Sequence, residues 1–256
     1  MTTVDPTQVR PSADTDPQAG PAVADGFHRA LNVRCRIEDG DDVPLGHVHR
    51  PTWRGRIHVV GLVAAIPAVT ALLLNSTGNT RLRFALGVYA VGLCTMFGAS
   101  ATYHRWVHGL RARATWRRVD HAAIFAAIAG SSTPIVLAAL PGTTGLVLVA
   151  AIWSVALLGT GFKLSRWSGG DRAGAALYAV TVVLAAAAVP WLLTRHGISP
   201  TALVVGGGIV YLAGVAGFAR RWPTLRPAVF SYHEVWHVFT IVAALTQFAA
   251  IWMLAT

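Results

Sequence analysis

Seven apolar stretches of bilayer-crossing length follow one another at residues 57–75, 84–103, 119–139, 144–162, 174–194, 201–219 and 229–254. A helix of about 20 residues, rising about 1.5 Å per residue, spans roughly 30 Å of hydrocarbon. The segments between them, NSTGNTR, PGTTG, SRWSGGDR, TRHGISP and RRWPTLRP, are turn and loop sequences. In lipid every backbone N–H and C=O must be satisfied within the protein, so segments of this kind are helices. Charge supports the same reading. Charged residues make up 12% of the chain, against roughly 25% in soluble domains, and after Asp42 the only carboxylates are Asp120, Asp171 and Glu234. The expected fold is an all-α membrane protein, a seven-transmembrane helix bundle over 55–256.

Residues 1–54 are of a different character. Pro, Asp, Thr and Ala dominate MTTVDPTQVRPSADTDPQAGPAVADG, with too little apolar bulk for a core, so a disordered extension is expected. No basic stretch followed by an apolar run marks a secretory signal there. The formal charge of +10 does not point to nucleic acid, because the basic residues lie between apolar spans rather than on a soluble module. Cys35 and Cys94 are the only cysteines, which argues against a disulfide framework or a cysteine-based zinc module.

Lys and Arg are distributed unevenly between the two sides of the bundle. One side carries fourteen: Arg50, Arg54, Arg56, Arg105, Arg111, Arg113, Arg117, Arg118, Lys163, Arg166, Arg172, Arg220, Arg221 and Arg226. The other carries three, Arg81, Arg83 and Arg195. The positive-inside rule then predicts a cytoplasmic N-terminus and an extracytoplasmic C-terminus, in a multi-pass protein of the cell's inner (plasma) membrane.

Ionisable residues at or in spans are costly and usually face the bundle interior or water. The second span ends in SATYH, with Ser100 and His104 four apart; the third begins VDH, with Asp120 and His121; the seventh begins SYHEVWH, with His233 and His237 four apart. Residues four apart share a helix face, and alternation of the spans brings all three places to the same side of the membrane. Three imidazoles with an open fourth position form a catalytic type of zinc site, in which bound water ionises near pH 7. His104, His233 and His237 are therefore the candidate metal ligands. Asp120 is a candidate to orient or deprotonate water, and Ser100 to hydrogen-bond a ligand oxygen. A single histidine at a span end is more commonly an amphipathic anchor in the headgroup region. His58, His108 and His196 are assigned to that role. His121 points about 100° away from Asp120 around the helix and is assigned a supporting, structural role. HEVWH also matches H-E-x-x-H, the zincin pattern with Glu as general base. That alternative lacks a downstream third ligand, since no His, Asp, Glu or Cys follows His237.

RGRIH at 54–58, GASATYHR at 98–105, VDHAAIFAAIAGSSTP at 119–134 and YHEVWHVF at 232–239 together resemble the hemolysin III family. This is the bacterial branch of the progestin and adiponectin receptor superfamily, and the resemblance covers roughly residues 50–256. It implies seven helices with a cytoplasmic N-terminus and a zinc ion held by His104, His233 and His237. It further implies that Asp120 contacts the zinc through water, with Ser100 adjacent, and that Glu234 is not a zinc ligand. The superfamily is associated with hydrolysis of lipid amides such as ceramide and with receptor roles, and the bacterial branch with haemolysis and membrane-lipid homeostasis. The expected function is zinc-dependent hydrolysis of a membrane-lipid amide or ester. The alternatives are a non-enzymatic sensor or homeostasis protein braced by zinc, an intramembrane metalloprotease and a pore-forming cytolysin.

Overall fold

The computed structural model describes residues 51–77, 79–165 and 170–256, and the expected extension up to residue 50 lies outside them. Eight helices carry the seven spans among the described residues: α1 (Arg56–Asn75), α2 (Thr80–Arg105), α3 (Leu110–Ala139), α4 (Thr143–Leu164), α5 (Gly170–Ala186), α6 (Val189–His196), α7 (Ile198–Ala219) and α8 (Tyr232–Ala255). Each span is long and apolar enough to cross a membrane, with α5 and α6 together forming the fifth. The chain is a multi-pass membrane protein.

Boundaries shift where local chemistry overrides the hydropathy pattern. Helix α2 begins at Thr80, four residues before its apolar stretch, because the Asn79 side chain caps it by accepting a hydrogen bond from the Leu82 N–H at 3.0 Å. Helix α3 begins nine residues before the expected 119. RARATWRRV is rich in Arg and Ala, good helix formers, and a hydropathy count locates only the lipid-crossing part of a helix. The fifth span is not one rod. Pro190 has no N–H to donate and its ring crowds the preceding turn. The ladder tightens before it, with the Ala188 N–H donating to Ala185 O at 3.2 Å, and resumes as the Leu192 N–H donates to Ala188 O at 2.9 Å.

Helices α2 and α3 form the centre of the bundle. In each, 61% of the apolar stretch is buried, against 11–28% in the other five spans. Neighbours in sequence pack as neighbours in space, and α8 also lies against α1 and α3, bringing the last span back to the first. Side chains of Leu72, Leu86, Phe125, Val136, Ile152, Leu192 and Ile251 fill the core. Without a hydrophobic force between helices in lipid, close backbone approach at small residues does much of the packing. At Gly92 on α2 an added Cβ would come within 2.5 Å of Ala126 O on α3. At the far end of the bundle the Thr77 N–H donates to Ala255 O at 3.0 Å, tying the α1–α2 turn to the end of α8.

Forcing α2 and α3 apart is expected to cost about 1–3 kcal/mol, the usual range for overpacking. Gly92→Val should therefore lower the thermal midpoint of the detergent-solubilised protein. Gly87→Val on the same helix, where a Cβ meets nothing within 4 Å, should leave it nearly unchanged. Equal midpoints for the two variants would refute the close α2–α3 packing.

Candidate metal centre

The site is assembled by the way α8 starts. Ser231 is its N-cap, and Ser231 and Glu234 form a capping box: the Ser231 N–H donates to Glu234 Oε2 at 2.7 Å and the Ser231 hydroxyl to the same oxygen at 2.6 Å. Arg54 occupies the other carboxylate oxygen, its Nε donating to Glu234 Oε1, while its Nη2 lies 3.4 Å from Ser231 Oγ. Both side chains are buried, Arg54 at 7% exposure and Glu234 at 0%. The backbone reinforces this ion pair: the N–H groups of Thr52 and Trp53 donate to Ala228 O and Val229 O, each at 3.2 Å. Residues 51–54, counted with the extension on sequence grounds, are thus joined to the segment that leads into α8.

Gly55 then turns the chain into α1. Its φ of +77° is left-handed, and a Cβ there would lie 2.9 Å from His104 Cβ and 3.2 Å from Arg105 N. Only glycine fulfils both demands, and the start of α1 consequently abuts the end of α2 at a candidate ligand.

Next to this junction His104, His233 and His237 converge, each buried, with one nitrogen of each lying within 4.8 Å of the others. Their ring centroids form a near-equilateral triangle: 4.7 Å for His104–His233, 5.0 Å for His104–His237 and 4.8 Å for His233–His237. His104 Nε2 and His233 Nε2 are 3.3 Å apart. Asp120 Oδ2, at the start of the membrane-crossing part of α3, lies 3.7 Å from His104 Nε2. Ser100, one turn before His104 and 2% exposed, has a buried Oγ with no hydrogen-bond partner among the described residues. Other hydroxyls in the spans bond the preceding turn, as Ser132 does to Ile128 O and Thr133 to Ala129 O. The structure therefore brings together the three candidate ligands and Asp120, and leaves the Ser100 hydroxyl without a local acceptor.

His108 and His196 are exposed and stand apart from the triad; His196 Nε2 lies 3.2 Å from Ala138 O. His121 is half-buried, and its carbonyl accepts a hydrogen bond from the Tyr178 hydroxyl. For His58 the assignment is corrected. It is 3% exposed and packs edge-on against His237, with ring centroids 4.0 Å apart. A span-end histidine reads as an anchor when the helix is viewed alone; packing of α1 on α8 turns this one inward. Arg54, Ser231 and Thr240 also belong to the surroundings of the site. Of these only the Ser-x-x-Glu spacing of Ser231 and Glu234 was a legible signal.

The donor set suits a transition metal. Three neutral imidazoles are zinc ligands, and His237 Nε2 is buried without a protein partner among the described residues. The His104 and His233 Nε2 atoms, 3.3 Å apart, are close enough to share one ion.

Comparison with known proteins places this architecture. The family model described as Haemolysin-III related matches residues 46–248. The chain is 30% identical over 196 residues to Hemolysin-3 of Bacillus cereus, covering 75% of this chain and 85% of the relative. It is 26% identical over 193 residues to the Hemolysin-3 homolog of Bacillus subtilis (strain 168), covering 75% and 87%. A heptahelical transmembrane protein of Oryza sativa subsp. japonica, ADIPOR2, is 31% identical over 180 residues, covering 64% and 79%, which fits the link to the progestin and adiponectin receptor superfamily. Seven membrane-crossing helices, the buried histidine triad and a match over most of its length make this chain a member of the haemolysin-III family.

Proposed function

We propose that the chain is a zinc-dependent hydrolase of a membrane-lipid amide or ester, acting in membrane-lipid homeostasis in the plasma membrane with its N-terminus in the cytoplasm. The observation that carries this reading is the grouping of three buried imidazoles with a carboxylate 3.7 Å from one of them and a buried hydroxyl one turn away that has no partner among the described residues. His104, His233 and His237 would hold the ion. When bound, zinc supplies Lewis-acid polarisation of a carbonyl oxygen and lowers the pKa of water. Asp120 accepts a proton from the attacking water and returns it to the departing nitrogen or oxygen, so that the acyl C–N or C–O bond breaks to a carboxylic acid and an amine or alcohol. The Ser100 hydroxyl donates to the substrate's carbonyl oxygen. His237→Ala should lose bound zinc in metal analysis of purified protein; full stoichiometry in that variant would sink the site. Asp120→Ala should keep zinc while lipid hydrolysis falls by about 10²–10⁴-fold, the usual worth of a general acid–base; unchanged turnover would remove Asp120 from the mechanism.

Glu234 bears on the metalloprotease alternative. Its Oε1 takes Arg54 and its Oε2 takes both polar groups of Ser231, so it is engaged in holding α8 rather than available as a base. Glu234→Gln should therefore retain zinc and most lipid turnover. Glu234→Ala, which leaves Arg54 buried and uncompensated, should destabilise the protein by about 3–5 kcal/mol. Abolished turnover in a fully folded Glu234→Gln protein would restore Glu234 as the candidate general base.

A second reading is favoured by the ligands' positions: His104 is on α2 and His233 and His237 are on α8, so an ion among them would brace two spans that are distant in sequence. A sensor or homeostasis protein with structural zinc would lose thermal stability on chelation and yield no lipid product. Lipid profiles of cells with and without the gene separate the two readings. The arginine asymmetry supports the orientation. A C-terminal alkaline phosphatase fusion should be active, and an inactive one alongside an active cytoplasmic reporter would reverse it.

A further inference from the structure

His58 is buried, lies on a different helix from every candidate ligand, and has no part in the chemistry above. Its surroundings form a closed set of polar contacts. His58 Nε2 lies 2.9 Å from Thr240 Oγ1. The Thr240 hydroxyl lies 2.7 Å from the carbonyl oxygen of His237, to which it donates. His237 Nδ1 lies 3.1 Å from His58 Nδ1 and 2.9 Å from His58 Nε2. His58 and His237 are each 3% exposed and Thr240 6%. The approach of α1 to α8 that permits these contacts continues one turn on, where a Cβ at Gly61 would meet Ile241 Cδ1 at 2.5 Å.

The protons can be assigned by accounting for each donor. The Thr240 proton goes to the His237 carbonyl, so Thr240 Oγ1 accepts from His58 Nε2–H. His237 Nδ1 lies almost equally far from both nitrogens of His58, and the two rings are at 88° with centroids 4.0 Å apart, so His237 meets the face of the His58 ring edge-on. An N–H edge is attracted to that face, and His237 Nδ1 carries the proton. The opposite tautomer would turn the His237 Nδ1 lone pair toward the electron-rich face of His58 and place a proton on His237 Nε2. That atom is buried with no acceptor among the described residues, and an unsatisfied buried donor is costly. The Nδ1–H tautomer leaves a lone pair on His237 Nε2, on the side of the ring away from His58.

We propose that His58 and Thr240 are positioning residues for the metal centre: together they hold His237 as its Nδ1–H tautomer and aim the Nε2 lone pair at the space shared with His104 and His233. A ligating histidine commonly donates its other ring N–H to a fixed partner, which sets its tautomer and orientation. Here a second imidazole provides that partner, and it is fixed in turn by a hydroxyl one turn along the ligand's own helix. His58 sits behind the His237 ring, so it cannot be a ligand of the same ion. The inference rests on the reading that the triad binds a metal.

The test uses purified full-length protein in detergent, titrated with zinc against a competing chelator, and with cobalt(II) as a spectroscopic probe. Wild type should bind one equivalent and His104→Ala should lose it. His58→Leu should still bind one equivalent, with affinity reduced about 10–100-fold, the usual effect of removing such a partner, and with a changed cobalt absorption spectrum. His58→Gln, whose amide can accept from His237 and donate to Thr240, should recover most of the affinity. If His58→Leu does not yield folded protein, Thr240→Val carries the same prediction with a smaller loss. Unchanged metal affinity and cobalt spectrum in a folded His58→Leu or Thr240→Val protein, even with lowered stability of the metal-free form, would overturn the positioning role and leave the metal reading standing. A wild type that binds no metal would overturn the metal reading itself, and this inference with it.

Discussion

An imidazole buried in a lipid-wrapped bundle keeps two polar ring nitrogens, and neither can turn to water. Burial without a partner costs free energy for each of them, so a cluster of three such rings constrains everything around it. In this protein the constraint is met in part by protein groups: His58 stands behind His237 and Asp120 beside His104. Among the described residues, His237 Nε2 and the Ser100 hydroxyl are left buried without a hydrogen-bond partner. That residue of unmet polarity is the physical argument for a metal, and it is stronger than the count of histidines.

Such a cluster needs its ligands delivered from distant parts of the chain with little play. His104 ends one helix and His233 begins another, and both ends are fixed by groups that bind nothing themselves. The capping box at Ser231 and Glu234 sets where α8 starts. The buried Arg54–Glu234 pair ties that start to the residues preceding α1, and Gly55 allows those residues to lie directly on His104. Replacing a buried ion pair by apolar groups is often neutral, so this pair is better understood as fixing register between α1 and α8 than as a source of stability. The same contacts occupy the carboxylate that makes HEVWH look like a zincin motif.

Much of the fold was legible beforehand because the bilayer imposes a length on apolar segments, and that length survives in sequence. The number and approximate limits of the spans, and the pairing of His233 with His237 on one helix face, follow from it. Features set by a few local atoms were not legible to the same degree. The early starts of α2 and α3 depend on Asn79 and on a basic helical extension, and the break at Pro190 depends on one missing N–H. The role of His58 was misread for a related reason: periodicity assigns a residue to a face of its own helix and does not identify what will pack against that face.

By itself the sequence determined that the chain crosses a membrane with seven helices and that His104, Asp120, His233 and His237 meet on one side of it, because hydrocarbon thickness and strict alternation of direction leave little choice. Only the tertiary structure decided which groups complete that meeting place. His58, Arg54 and Thr240 are drawn in because α8 closes back on α1, a contact between residues about 180 positions apart. No local pattern encodes it, since it arises from the fit of surfaces such as Gly61 against Ile241 rather than from the period of either helix.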